Sequence, residues 1–161
     1  MGPHQRSLSL QNLSATRALA GKIAPWARPG DVVALRGALG TGKTAFARAF
    51  IEAFAGHVGA KPPEEIPSPT FTLVQIYEFG DSVIYHFDLY RLEAPTDAYE
   101  LGIEDAFGDS ISLIEWPDRL GGLLPEDRLD IELQDGADED ARNVHVTGAG
   151  AWSNRMNEIF P

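Results

Sequence analysis

Residues 31–44, Asp-Val-Val-Ala-Leu-Arg-Gly-Ala-Leu-Gly-Thr-Gly-Lys-Thr, decide the fold. Asp31–Arg36 is a short apolar run of the kind buried on both faces of a sheet. It passes without a linker into Gly37–Thr44, which fits G-x-x-x-x-G-K-[ST] in full. A helix is expected from Lys43 to about Ala55, ended by Gly56. Strand, glycine loop and helix start are the three parts of a phosphate cradle. Gly37, Gly40 and Gly42 let the backbone curl so that successive amide N–H groups face one anion. Lys43 brings a point charge to the β- and γ-phosphates, and the Thr44 hydroxyl is a Mg²⁺ ligand. The expected nucleotide-binding residues are therefore Gly37, Leu39, Gly40, Thr41, Gly42, Lys43, Thr44 and Ala45, with a nucleoside triphosphate and Mg²⁺ bound there.

Outward from that stretch, Asn12 or Ser14 caps a first helix running to about Trp26, and Pro29-Gly30 breaks it from the strand. Lys61–Thr70 holds four prolines in ten residues and reads as irregular loop. Thr72–Glu78 and Ser82–Phe87 read as strands joined at Gly80-Asp81. Thr96 caps a helix through Phe107, Ile111–Glu115 is a buried strand, and Leu129–Leu133 and Asn143–Val146 alternate as strands. A last amphipathic helix spans Trp152–Phe160. Strands interleaved with helices, plus hairpins, predict an α/β three-layer sandwich of the P-loop NTPase kind. Its mixed sheet would have a parallel core and antiparallel hairpin additions. At 161 residues the whole of 1–161 is read as one domain.

Composition narrows the chemistry. The 43% apolar and 23% charged fractions are those of a globular chain. The lack of cysteine excludes disulfides, zinc ribbons, iron–sulfur clusters and a thiol nucleophile. No apolar run reaches the roughly 18 residues of a spanning helix. The start MGPHQRSLSL has no signal-peptide stretch, and Arg6 breaks the myristoylation pattern, so a cytoplasmic protein without membrane attachment is expected. Net charge is −11, with eight acids against Arg128 between Glu126 and Asp140. That balance opposes direct nucleic-acid binding, which is driven by Lys and Arg on phosphate.

A Mg²⁺–triphosphate site also calls for carboxylates at strand ends. Val83–Phe87 leads into Asp88, and Ile111–Ile114 leads into Glu115. Either acid alone would serve as a cap or turn residue. Together they allow one to hold Mg²⁺, directly or through water, while the other orients the attacking water. Asp88, Glu115 and Lys43 are the catalytic candidates, and Thr44, Glu115 and Asp88 the metal candidates. Ser68 and Thr70, in Ser68-Pro69-Thr70-Phe71, either stiffen a strand entry or sense the γ-phosphate as a switch. Trp116 either packs or anchors a partner. Arg91 is the one arginine in reach of serving as a finger in cis.

These segments in their order resemble the TsaE (YjeE) family: GALGTGKT, SPTFTLVQIY, YHFDLYRL, ELGIEDAF and LIEWPDR with LLPEDRLDIEL. The resemblance runs from about Ser14 to Arg142. It implies an ATPase that acts with TsaB and TsaD in threonylcarbamoyl modification of the tRNA adenosine beside the anticodon. TsaD would transfer the group and this subunit would hydrolyse ATP to reset the complex, meeting tRNA only indirectly. It carries the P-loop threonine onto Thr44, the strand-end acids onto Asp88 and Glu115, and the tryptophan onto Trp116. Adenine contacts would lie near the first helix and Asp140–Asn143. The first six residues and the last helix fall outside the shared motifs.

Rival readings are a GTPase, a small-molecule kinase and a nucleotide-gated binding module with negligible turnover. No asparagine precedes a lysine, so the guanine signature N-K-x-D is absent. No arginine pair follows Glu115 as a kinase lid would need. The binding module uses the same residues as the ATPase and stays open.

Overall fold

A computed structural model describes residues 4–161; the first three residues of the MGPHQRSLSL start lie outside it. Seven strands form one sheet in the order β1-β7-β6-β2-β5-β4-β3. They are β1 (His4–Leu10), β2 (Val32–Arg36), β3 (Val74–Phe79), β4 (Ser82–Asp88), β5 (Ile111–Glu115), β6 (Leu129–Asp135) and β7 (Arg142–Gly148). β2 runs parallel to both β5 and β6, and β5 runs parallel to β4. The β3–β4, β6–β7 and β1–β7 pairs are antiparallel. The parallel core with antiparallel additions is the sheet expected from the sequence.

Period-2 alternation splits the strand side chains between two cores. Val33, Leu35, Leu113 and Ile131 meet α1 (Leu13–Ile23), α2 (Lys43–His57) and α4 (Ala151–Ile159) on one face. Val32, Phe87 and Ile114 meet α3 (Ile103–Asp109) and short 3-10 turns on the other. Because β2 and β5 are buried on both faces, they read as near-continuous apolar runs, broken within β5 by Ser112.

Several boundaries differ from the sequence reading. β1 was not expected; its sequence HQRSLSL is polar on one side, and it is held by pairing with β7. The first helix stops at Ile23, and Trp26 belongs to a 3-10 turn (Ala24–Trp26). Asn12 is its cap, with Oδ1 accepting from the Ala15 amide at 2.9 Å. α2 passes through Gly56 and ends one residue later. Gly59 takes the left-handed conformation at φ 75°, and the Ala60 and Gly59 amides donate to Ala55 O and Gly56 O. That bonding is a Schellman termination, so the stop signal is Gly59 rather than Gly56. The expected helix from Thr96 is instead a 3-10 turn (Pro95–Leu101) and α3, separated at Gly102, where φ is 83°. Its entry is braced by Asp97, which accepts from the Ala94 amide at 3.1 Å; Thr96 is not the cap. Among the described residues no helix is long and apolar enough to cross a membrane.

Candidate functional site

β2, β4 and β5 all end at one edge of the sheet, and the loop after β2 opens there. Gly37 (φ 145°) begins the turn so close to β6 that a Cβ would lie 2.6 Å from Leu133 O and 2.5 Å from Thr41 Oγ1. No other residue fits there. Gly42 (φ 103°) then hands the chain to α2. A P-loop that turns its amides inward must turn its carbonyls outward, and buried carbonyls need donors. Thr41 Oγ1 donates to Ala38 O at 2.9 Å. Arg142, at the start of β7, donates from Nε to Thr41 O at 2.7 Å and from a terminal nitrogen to Gly40 O at 3.2 Å. Its remaining terminal nitrogen donates to Glu139 O and Ala141 O, both at 2.7 Å. One guanidinium thus joins the acidic β6–β7 turn to the phosphate loop.

The loop closes on a cleft of about 280 Å³. Leu39, Gly40, Gly42, Lys43, Thr44, Ala45, Thr70, Asp88, Glu115 and Trp116 line it. Gly37 and Thr41 stand behind as scaffold, and Ser68 supports Thr70 with their hydroxyls 2.7 Å apart. The register pairs Asp88 with Glu115 across β4 and β5, so the two strand-end acids are neighbours on one face. Thr44 Oγ1 donates to Glu115 Oε1 at 2.8 Å. Thr70 Oγ1 donates to Asp88 Oδ2 at 3.3 Å, and Asp88 Oδ1 accepts the Tyr90 amide at 3.1 Å. The acids therefore differ in company: Glu115 belongs to the P-loop helix, and Asp88 to the proline-rich loop.

Lys43 Nζ donates to Gly37 O at 2.6 Å and Ala38 O at 2.9 Å, and it lies 4.0 Å from the centroid of the Trp116 ring. Burial pushes its amine below the ordinary lysine value, while the Glu115 and Asp88 charges pull the other way. Trp116 directly follows β5 in left-handed backbone (φ 59°), as does Leu73 (φ 67°) after the Thr70 loop. Non-glycine residues held there store strain that the surrounding structure must maintain. For Leu73 the hold is visible: its amide donates to Pro69 O at 2.7 Å and its carbonyl accepts the Asp88 amide at 3.0 Å. Tyr90 packs on Trp116 with ring centroids 4.9 Å apart.

Arg91 is not in the cleft. Its guanidinium lies 4.4 Å from the ring centroid of Phe71, which is 79% exposed. Among the described residues lining the cleft, Lys43 is the one cation.

Sequence reasoning missed His86, Tyr90 and Arg142. His86 had a signal, since it precedes Asp88 by two in a strand and so shares its face. For Arg142 no local signal shows that a hairpin folds back on the P-loop. The end of β1 and the cap of the first helix face the β6–β7 turn: Leu10, Asn12, Arg142 and Asn143 line a cavity of about 410 Å³, and no residue within α1 lines it.

The residues fit Mg²⁺. Thr44 and Glu115 converge as oxygen donors on one side of the cleft, and Mg²⁺ favours one or two carboxylates completed by phosphate and water. Among the described residues no cluster of three His, Cys, Asp or Glu forms an all-protein cage.

The family model described as Threonylcarbamoyl adenosine biosynthesis protein TsaE matches residues 10–144. The tRNA threonylcarbamoyladenosine biosynthesis protein TsaE of Rickettsia felis is 41% identical over 127 residues, covering 79% of this chain and 71% of that protein. The protein of the same name from Bacillus subtilis is 36% identical over 140 residues, covering 86% and 83%. A crystal structure of Bacillus subtilis YdiB superposes with a TM-score of 0.72 at 31% identity, covering 99% of this chain and 93% of that one.

Proposed function

The chain belongs to the TsaE family of tRNA threonylcarbamoyladenosine biosynthesis proteins, and on that premise we propose that it binds Mg²⁺-ATP at the P-loop cleft and hydrolyses it slowly. The observation that carries this reading is the Thr44–Glu115 hydrogen bond at the mouth of a full P-loop, with Lys43 and Asp88 beside it. Lys43 leaves the Gly37 and Ala38 carbonyls to meet the β- and γ-phosphates, and the amides of the Leu39–Ala45 loop hold the remaining oxygens. Thr44 and Glu115 would hold Mg²⁺, which would supply charge neutralisation for the triphosphate. Asp88, tied to Thr70 and Ser68, orients the attacking water. Adenine occupies the cavity between Asn12 and Arg142.

Among the described residues Lys43 is the one cation lining the cleft, which implies low turnover in isolation, because an arginine finger is worth about 10³–10⁵ in rate. Arg91 is committed to Phe71. The missing charge is then supplied by partner chains, TsaB and TsaD homologues, docking beside the cleft at Trp116, where exposed Phe71 adjoins Thr70 in sequence and exposed Tyr90 packs on Trp116. The charge of −11 suits protein contact and leaves tRNA an indirect partner. Single-turnover ATP hydrolysis, with and without those partners, tests the proposal. Partner-dependent acceleration is expected. Tight binding with no turnover in either arm would establish the nucleotide-gated module instead.

A further inference from the structure

The face of β4 that meets α2 carries a buried polar side chain that phosphate chemistry does not use. His86 is fully buried, and its Nε2 lies 2.7 Å from Glu115 Oε2. The other oxygen, Oε1, accepts the Thr44 hydroxyl. The two oxygens of one carboxylate are thus divided, one turned to the interior and one to the cleft. A carboxylate only accepts, so Nε2 carries the shared proton. Nδ1 has no hydrogen-bond partner. Left bare, it is an unfilled acceptor. Protonated, it would be a buried N–H without a partner, which is the costlier state.

A histidine with one orphaned nitrogen is a poor packing choice at that position. Phenylalanine would fill a similar space but would leave the buried Glu115 Oε2 without its donor. What the imidazole adds is one fixed donor aimed at Glu115.

We propose that His86 is a positioning residue that clamps Glu115 Oε2, so that Oε1 stays directed at Thr44 and the metal position. Its functional consequence rests on the Mg²⁺-ATP reading above; the clamp itself does not. A glutamate side chain has three rotatable bonds, and without the clamp the carboxylate samples orientations that turn Oε1 away. Partners behind a metal ligand typically hold 10- to 100-fold in metal affinity.

Four variants and one spectrum test this. In the nucleotide-free wild type, nitrogen-15 correlation spectra of the His86 ring should show Nε2 protonated and Nδ1 bare, with the pattern changing in Glu115→Gln. His86→Phe should raise the Mg²⁺ concentration for half-maximal ATP hydrolysis about tenfold or more, while metal-free nucleotide affinity measured by calorimetry moves little. His86→Gln, whose side-chain amide reaches the Nε2 position, should recover most of the metal affinity. His86→Asn, whose amide stops short, should not. If His86→Phe does not fold, the Gln–Asn pair and the spectrum carry the test. A proton on Nδ1 alone, or equal losses in the Gln and Asn variants, would overturn the clamp. So would an unchanged Mg²⁺ requirement in folded His86→Phe. A wild type that binds no Mg²⁺-ATP would instead overturn the nucleotide reading, and the ring spectrum would still decide the His86–Glu115 contact.

Discussion

The Lys43 ammonium sits 4.0 Å from the centroid of the Trp116 ring, a contact between the P-loop lysine and a residue held in left-handed backbone at the end of β5. A cation over an indole is stabilised by the ring quadrupole and changes its emission. Moving Lys43 onto phosphates breaks that contact. Tryptophan emission should therefore change on titration with Mg²⁺-ATP, and the change should vanish in Trp116→Phe. A wild type that binds nucleotide by calorimetry with no change in emission would show that Lys43 stays on the ring.

Lys43 should trade stability for binding. Its folded value lies below the unfolded 10.5 because burial disfavours the cation. Between the two values the unfolded chain binds more protons, so stability rises with pH through that window. The cost of burying the charge is fully present below the folded value. Lys43→Met should thus keep or raise Tm while weakening ATP binding by about 2–5 kcal/mol, the usual loss for a buried charged contact. A Tm several degrees lower would show that the Gly37 and Ala38 contacts outweigh desolvation.

Asp88→Asn and Glu115→Gln should each cut hydrolysis by about 10²–10³ and change ATP affinity much less. Charge placed where it develops in the transition state acts mainly on rate. Glu115→Gln should also raise the Mg²⁺ requirement, because Glu115 shares Thr44, and Asp88→Asn should not. Pre-steady-state hydrolysis over a Mg²⁺ series separates the two roles. Wild-type rates in either variant would make that carboxylate structural.

Gly59→Ala offers a stability change away from the cleft. A Cβ there meets nothing within 4 Å, so only the left-handed backbone (φ 75°) resists it. The cost should be about 1–2 kcal/mol. Denaturant unfolding should show it, with ATP affinity untouched. No loss would mean that the Schellman bonds of Ala60 and Gly59 do not end α2.

The parts of this structure legible in the sequence are those set by short-range physics. β2 and β5 are apolar except at Ser112 and their terminal Arg36 and Glu115 because both faces are covered, and the P-loop spacing is dictated by phosphate geometry. Asp88 and Glu115 were readable because each closes an apolar run in a chain whose P-loop calls for carboxylates at strand ends. Gly56 misled because any glycine after a helical pattern resembles a stop, and only backbone angles separate it from Gly59. Residues 95–109 carry helical spacing, but Gly102 at φ 83° divides them. β1 was hidden because an edge strand with Arg6, Ser7 and Ser9 shows little hydrophobic alternation, and its partner β7 is more than a hundred residues away. The same long range concealed Arg142, whose bonds cross about a hundred positions to the P-loop.

Arg142 yields the last prediction. Among the described residues its guanidinium bonds to backbone carbonyls, two in the P-loop and two in the acidic turn. Hydrogen bonds from a charged donor are worth about 1.5–3 kcal/mol each, and water replaces part of that at a half-exposed site. Arg142→Ala should therefore weaken ATP binding about tenfold by loosening the curl of Gly40 and Thr41. Arg142→Lys should not restore it, since an ammonium lacks the planar fork that spans four carbonyls. Global stability should change little, because β6 and β7 remain paired along their length. Calorimetric ATP affinity alongside hydrogen exchange of the P-loop amides checks both halves. Faster exchange confined to the loop, with weaker binding, is expected. Full affinity in Arg142→Lys would reduce the guanidinium to a simple positive charge, and unchanged exchange in Arg142→Ala would show that the loop holds its shape unaided.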